Sequence, residues 1–395
     1  MQQDRTAAAH SRYQSLDAWR GAACLMVVVY HATAFGLESQ PREALFSFGG
    51  LLLVAASKLL HGVTLFFVIS GYCISAAVDA SARRRAPIAD YFWRRFRRIF
   101  PPFWIFFALT ALGVTVAHAA GAGRLFEEVS FGGFGRMTQP SHLSGTDWIG
   151  NLTLTEIWLP AKLGREPLYL ESTGHAWTLA YEEQFYAVCG LLLVASRRRM
   201  SHFFAGALAV VLLCFVFAAS PALRATTGGL FLDGRWILFA CGIAVYYDRM
   251  YAGPRQRWMV RGLLVALLVL SLSNPLKGPE LIIAPAFALA LIGLQRWDAA
   301  WSRARAPRFL WWCGTRCYSL YLVHWAIIRP LSHWLVEAGV RSIWATLLIT
   351  LPVSLGISVL AAWWFHAVVE RRFLNRPDAV KSVPIPTGTA ELVQA

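Results

Sequence analysis

Apolar runs of about twenty residues recur between residues 20 and 366. A helix needs about 20 apolar residues to cross the hydrocarbon core of a bilayer. Lipid offers the backbone no water to bond, so each run must close its own hydrogen bonds as a helix. The pattern therefore predicts an all-α integral membrane fold, a polytopic bundle of about ten transmembrane helices. Composition agrees: 57% of residues are hydrophobic and 15% charged, against about 25% charged in a soluble domain. The expected spans lie near 20–38, 60–78, 99–120, 174–196, 202–219, 229–247, 258–274, 279–295, 313–333 and 343–366.

The formal net charge of +15 does not point to nucleic acid here, because cytoplasmic loops of membrane proteins collect Lys and Arg. With both termini cytoplasmic, the clusters "ARRR", "RRFRR", "SRRR" and "ERRFLNR" all face inward. The reading gives a cytoplasmic segment over 1–19, a transmembrane domain over 20–370 and a disordered cytoplasmic tail over 371–395. One sizeable external loop, 121–173, is expected, and "NPLKGP" reads as a tight turn. No cleavable signal peptide is expected. The seven cysteines fall in or beside apolar runs, which argues against a disulfide framework. Cys313 and Cys317 lack a partner pair for zinc, so no metal site is expected.

A charge at the bilayer centre costs at least about 2.5–3.5 kcal/mol, so intramembrane polar residues are default functional candidates. Arg20 and His31 stand eleven residues apart on the first span. That spacing puts them on one helix face, about 16 Å apart along the axis. Glu182 in "WTLAYEEQFY" and His324 in "YSLYLVHWA" reach a similar depth on two other spans. Glu183, adjacent to Glu182, must point elsewhere. Three costly residues at one depth on three helices suit a buried reaction chamber. They would also suit a proton-coupled transporter or flippase, although no internal repeat supports that alternative.

Between the second and third spans, Arg94, Arg95, Arg97 and Arg98 cluster where the chain re-enters the membrane. Arginine forks suit phosphate oxygens, while the plain reading is that they set topology. Pro101 and Pro102 are expected to open the third helix near its start. Ser70 and Gly71 lie on the second span, where glycine allows close approach of a ligand or, more ordinarily, of another helix.

These residues fall in an ordered set of motifs. An arginine, ten residues and a histidine, Arg20 to His31, follow "SLDAW". Then come "FFVISGY" from Phe66 to Tyr72, the basic element Arg94, Arg95, Arg98, Ile99 and Pro101, "WTLAYEEQFY" from Trp177 to Tyr186, and "YSLYLVHWA" from Tyr318 to Ala326. The series resembles the acyltransferase 3 family of bacterial integral membrane acyltransferases, over about residues 15–370. Ala326, where the family pattern favours Pro, is a small departure.

The resemblance implies a multi-pass protein of the bacterial inner membrane. It implies transfer of an acyl group, acetyl by default, from cytoplasmic acyl-CoA (acetyl-CoA) to a hydroxyl of a cell-envelope or secreted glycan. Beside the lipid bilayer, it leaves room for a separate glycan-assembly partner. Under it His31 is the general base or acyl carrier, Arg20 holds the donor path, and Glu182 orients His31. His324, or backbone donors near Gly71, stabilises the oxyanion. Arg94, Arg95, Arg97, Arg98 and the Ser70-Gly71-Tyr72 motif are expected to hold the donor.

Overall fold

The computed structural model describes residues 13–126, 136–273, 278–303 and 308–374. Its principal helices are α1 (Leu16–Glu38), α2 (Phe48–Ser57), α3 (Gly62–Arg84), α4 (Ile88–Ala119), α5 (Gly145–Thr153), α6 (Trp177–Ala195) and α7 (Met200–Ala219). They continue with α8 (Arg235–Met250), α9 (Pro254–Leu272), α10 (Glu280–Leu294), α11 (Arg308–Thr315), α12 (Cys317–Glu337) and α13 (Leu351–Phe365). Among the described residues, six helical runs are long and apolar enough to cross a membrane: Leu16–Glu38, Phe48–Arg84, Ile88–Ala119, Met200–Ala219, Glu280–Ser302 and Ile343–Phe373. Helices also occupy the other four expected spans, as α6, α8, α9 and α12. These are more polar, or in the case of α8 shorter, so length and hydropathy alone do not establish ten crossings. Outward-facing Leu208, Leu212 and Phe215 give α7 the greasy surface that lipid requires.

Several boundaries differ from the sequence expectation. The second expected span is preceded by α2, which joins it through a tight turn over Lys58–His61. Helix α4 begins eleven residues early, directly after Pro87, and runs unbroken through Pro101 and Pro102. The prolines therefore do not open it. The span expected at 313–333 is two helices, broken at Arg316, and Cys313 belongs to the shorter, α11. Part of the expected N-terminal segment is built into the fold. The Tyr13 hydroxyl donates to the Leu291 carbonyl at 3.1 Å, and the backbone N–H groups of Gln14 and Ser15 donate to Asp298 at 2.7 and 2.8 Å. Residues 1–12, the tail 375–395 and most of the "NPLKGP" turn (274–277) lie outside the described residues.

Two crossings hold the site's helices close. A Cβ on Gly21 would lie 1.9 Å from the Leu310 carbonyl oxygen, and one on Gly314 would lie 1.7 Å from that of Asp17. Only glycine lets α1 and α11 meet there. Helices α3 and α8 repeat the device with Gly71 and Gly242, whose added Cβ atoms would lie 2.0 and 1.8 Å from the carbonyl oxygens of Phe239 and Val68.

The expected external loop carries α5, capped by a reciprocal Ser144–Asp147 box. It also holds a short parallel bridge between β1 (Arg136–Thr138) and β2 (Leu168–Leu170). Asn151 on α5 ties to β2, donating to the Leu168 carbonyl at 2.8 Å. Glu156 accepts from the Leu168 N–H at 2.6 Å. Burial pushes its carboxyl up to about 7.

Candidate active site

Helices α1, α3, α6 and α12, with the start of α4, enclose two cavities that share a wall. The first is narrow, about 110 Å³, and is lined by Arg20, Arg95, Arg98, Ser70, Glu182 and Tyr186. The second is wider, about 430 Å³, and takes in His31, His175, Trp177, Arg235, Trp325 and Arg329. Val27, Val63, Phe67, Thr178, Tyr321 and His324 line both. These residues form a waist, and His324 is the imidazole among them.

The arginine chamber is set by helix phase. Arg95 and Arg98, three apart on α4, face inward together. Arg95 donates to the Tyr186 hydroxyl at 2.9 Å, and its guanidinium lies 4.3 Å from the centre of that ring. Arg98 makes no hydrogen bond or salt bridge among the described residues. Arg20 donates to Asp17 at 2.9 Å and to the Cys73 sulfur at 2.9 Å. Two of the four clustered arginines are elsewhere. Arg94 is exposed. Arg97 donates to the carbonyls of Arg372 and Leu374, at 3.5 and 3.2 Å, and so closes the end of the last helix.

Glu182 belongs to this chamber and not to His31. Its Oε1 accepts from Ser70 at 3.1 Å and from Tyr186 at 2.8 Å. Helix depth had suggested a pairing with His31, but depth says nothing about lateral position in a bundle. Glu183 is turned away from both cavities, as adjacency on a helix requires. In the "FFVISGY" motif Ser70 reaches the chamber. Gly71 instead faces Phe239 on α8, where it serves helix contact. Tyr72 is buried, and its hydroxyl accepts from the Tyr13 N–H at 3.1 Å.

At the waist the histidines converge. The rings of His31 and His324 are 5.3 Å apart between centres, and His31 meets Trp325 edge-on at 4.1 Å. His324 is 1% exposed. Its Nδ1 lies 2.6 Å from the Tyr321 carbonyl and 3.1 Å from that of Leu320. Carbonyls only accept, so Nδ1 carries the proton and Nε2 presents a lone pair. Nε2 has no partner among the described residues. In its neutral form the ring can therefore take a proton at Nε2 and offers no N–H on that face. His31 Nδ1 is likewise buried without a partner among the described residues.

His175 completes the cluster, 5.2 Å from His324 between ring centres. Sequence reasoning gave it no role. Its one signal was its place two residues before Trp177 at the head of the "WTLAYEEQFY" motif. In the wider chamber, Arg235 lies 5.3 Å over the Trp177 ring and pairs with Asp233 at 2.7 Å.

A model of the acyltransferase 3 family, described as an acyltransferase domain, matches residues 13–365, and the chain belongs to that family. The family's activity is acyl transfer, and the apolar helical runs make this a multi-pass membrane protein. No curated protein and no solved structure matches the chain.

Proposed function

We propose that the protein moves an acyl group, acetyl by default, from cytoplasmic acyl-CoA to a hydroxyl of a cell-envelope or secreted glycan at the bacterial inner membrane. The observation that carries this reading is the pair of chambers joined at His324. The narrow chamber suits an extended pantetheine arm. Arg20, Arg95 and Arg98 offer the cationic forks that donor phosphates require. The wider chamber, walled by Trp177 and Trp325, suits the faces of a sugar ring.

In this reading His31 takes the proton of the acceptor hydroxyl as the hydroxyl oxygen attacks the thioester carbonyl. A carbon–oxygen bond forms and the carbon–sulfur bond breaks. His324, open to both chambers, receives a proton from the His31 side and returns it to the departing sulfur. Thioester and alcohol become ester and thiol with no other reactant. Arg95, through Tyr186, keeps Glu182 fixed beside the donor path, so Glu182 has an electrostatic role there and none at the base.

The Cys73 sulfur gives a local test, because it lines the arginine chamber in contact with Arg20. Saturating acetyl-CoA is expected to protect Cys73 from alkylation by N-ethylmaleimide, read by peptide mass mapping of folded protein. Unchanged alkylation at saturating donor would remove the donor from this chamber.

A further inference from the structure

His175 lies in the tight turn Gly174–Ala176 that leads into α6. The turn is pinned from α12, where the Tyr321 hydroxyl donates to the His175 carbonyl at 2.7 Å. Thr178 in turn donates to the Tyr321 hydroxyl at 3.0 Å. This fixes the backbone and leaves the imidazole clamped edge-on against Tyr321 and Phe106, at 5.0 and 6.0 Å between ring centres. The residue is 4% exposed, and neither ring nitrogen has a hydrogen-bond partner among the described residues. The carbonyls of Tyr321 and Leu322 lie alongside the ring but outside hydrogen-bond geometry.

Leaving a buried polar group unpaired costs about 1–3 kcal/mol. For His175 the nearest acceptors are the Tyr321 and Leu322 carbonyls, and neither makes a well-aligned bond to the ring. A purely structural histidine at this place would be cheaper as Phe, since its surroundings are aromatic. Its ring also stands beside His324 and opens on the chamber that holds His31. His31 on α1 and His175 in the turn before α6 therefore both line the wider chamber, each within 5.3 Å of the His324 ring between centres. Each has at least one nitrogen with no partner among the described residues.

We infer that His175 is the residue that holds the acceptor's reacting hydroxyl. One of its ring nitrogens hydrogen-bonds that hydroxyl and fixes it between His31 and the acyl carbonyl. A hydroxyl both donates and accepts, so it can satisfy His175 and His31 together. The inference rests on the acyl-transfer reading and extends it to the acceptor side. It divides the labour of the cluster: His31 removes the proton, His324 carries it across the waist, and His175 sets the angle of attack. A misplacement of about 1 Å at such a point costs about 10²-fold in rate.

The test uses the full chain in nanodiscs with [14C]acetyl-CoA, and envelope membranes from the expressing cells as the source of acceptor. Three proteins are compared: wild type, His175→Phe and His175→Gln. Phe keeps the ring volume and loses both nitrogens. Gln keeps a donor and an acceptor. The expected result is that His175→Phe transfers label about 10²-fold more slowly, with acetyl-CoA affinity unchanged, and that His175→Gln recovers a substantial part of the rate. Transfer by His175→Phe at the wild-type rate overturns the inference. Equal loss in Phe and Gln, with donor binding intact, also overturns it, because a packing role would behave that way. Label that never leaves acetyl-CoA in the wild type overturns the acyl-transfer reading itself, and the inference with it.

Discussion

His31→Ala is expected to lower acyl transfer by about 10³-fold or more while leaving the protein folded and its affinity for acetyl-CoA unchanged. A positioned general base contributes about 10²–10⁴-fold. Within the cluster His324 Nε2 stands at the wall between chambers, so it is placed to carry the proton onward and not to take it first. Folding should survive because His31 borders a cavity. Truncating it enlarges an existing space and opens no new void in a packed core. Donor affinity should hold because the arginines that would receive the donor line the other chamber. The check is kcat for label transfer beside the equilibrium Kd for acetyl-CoA, on protein of normal elution profile. Loss of donor binding together with rate would move His31 out of the role of base and into the donor site.

The paired replacement Arg95→Ala with Arg98→Ala is expected to weaken acetyl-CoA binding by about 10²-fold or more. Hydrogen bonds to charged groups are worth about 1.5–3 kcal/mol each, and each 1.4 kcal/mol is tenfold in affinity. Arg94→Ala provides the internal control. It lies on the same helix and removes one charge where the pair removes two, but it is exposed and lines neither chamber, so it should change affinity less than about twofold. The mechanism distinguishes contact from net charge, which all three arginines share. Isothermal titration of the nanodisc-embedded proteins decides it. Weakening by Arg94→Ala of about half the pair's effect in free energy, as one charge against two requires, would mean that the cluster attracts the donor only through its long-range field.

The single face shared by Arg20 and His31 could be read from eleven-residue spacing, and the structure keeps it: the two residues line successive chambers along one helix. The approach of His31 to His324 followed from matched depth and is seen as 5.3 Å between rings. The same argument failed for Glu182, because depth fixes one coordinate of three. The arginine cluster could not be split in advance. Residues three or four apart share a helix face, so Arg98 is neighbour to both Arg94 and Arg95, and nothing in the sequence says which of the four face inward. Gly71 was legible only as a position of close approach. Whether helix or ligand approached it depended on α8, whose Gly242 answers it from far along the chain. His175 was out of reach for a different reason. It precedes its helix, in a turn without periodicity, and its place beside His324 depends on the Tyr321 anchor from α12. The polar spans α6 and α12 fall short of the usual apolar signature because they carry groups that line the two chambers.

The most direct measurement is acetyl transfer by purified wild-type protein in nanodiscs, supplied with [14C]acetyl-CoA and envelope membranes. Acyl transfer through the two chambers requires label to leave the donor and appear as a base-labile ester on envelope glycan, with free coenzyme A released in equal amount. Folded protein that binds no acetyl-CoA and moves no label would contradict it.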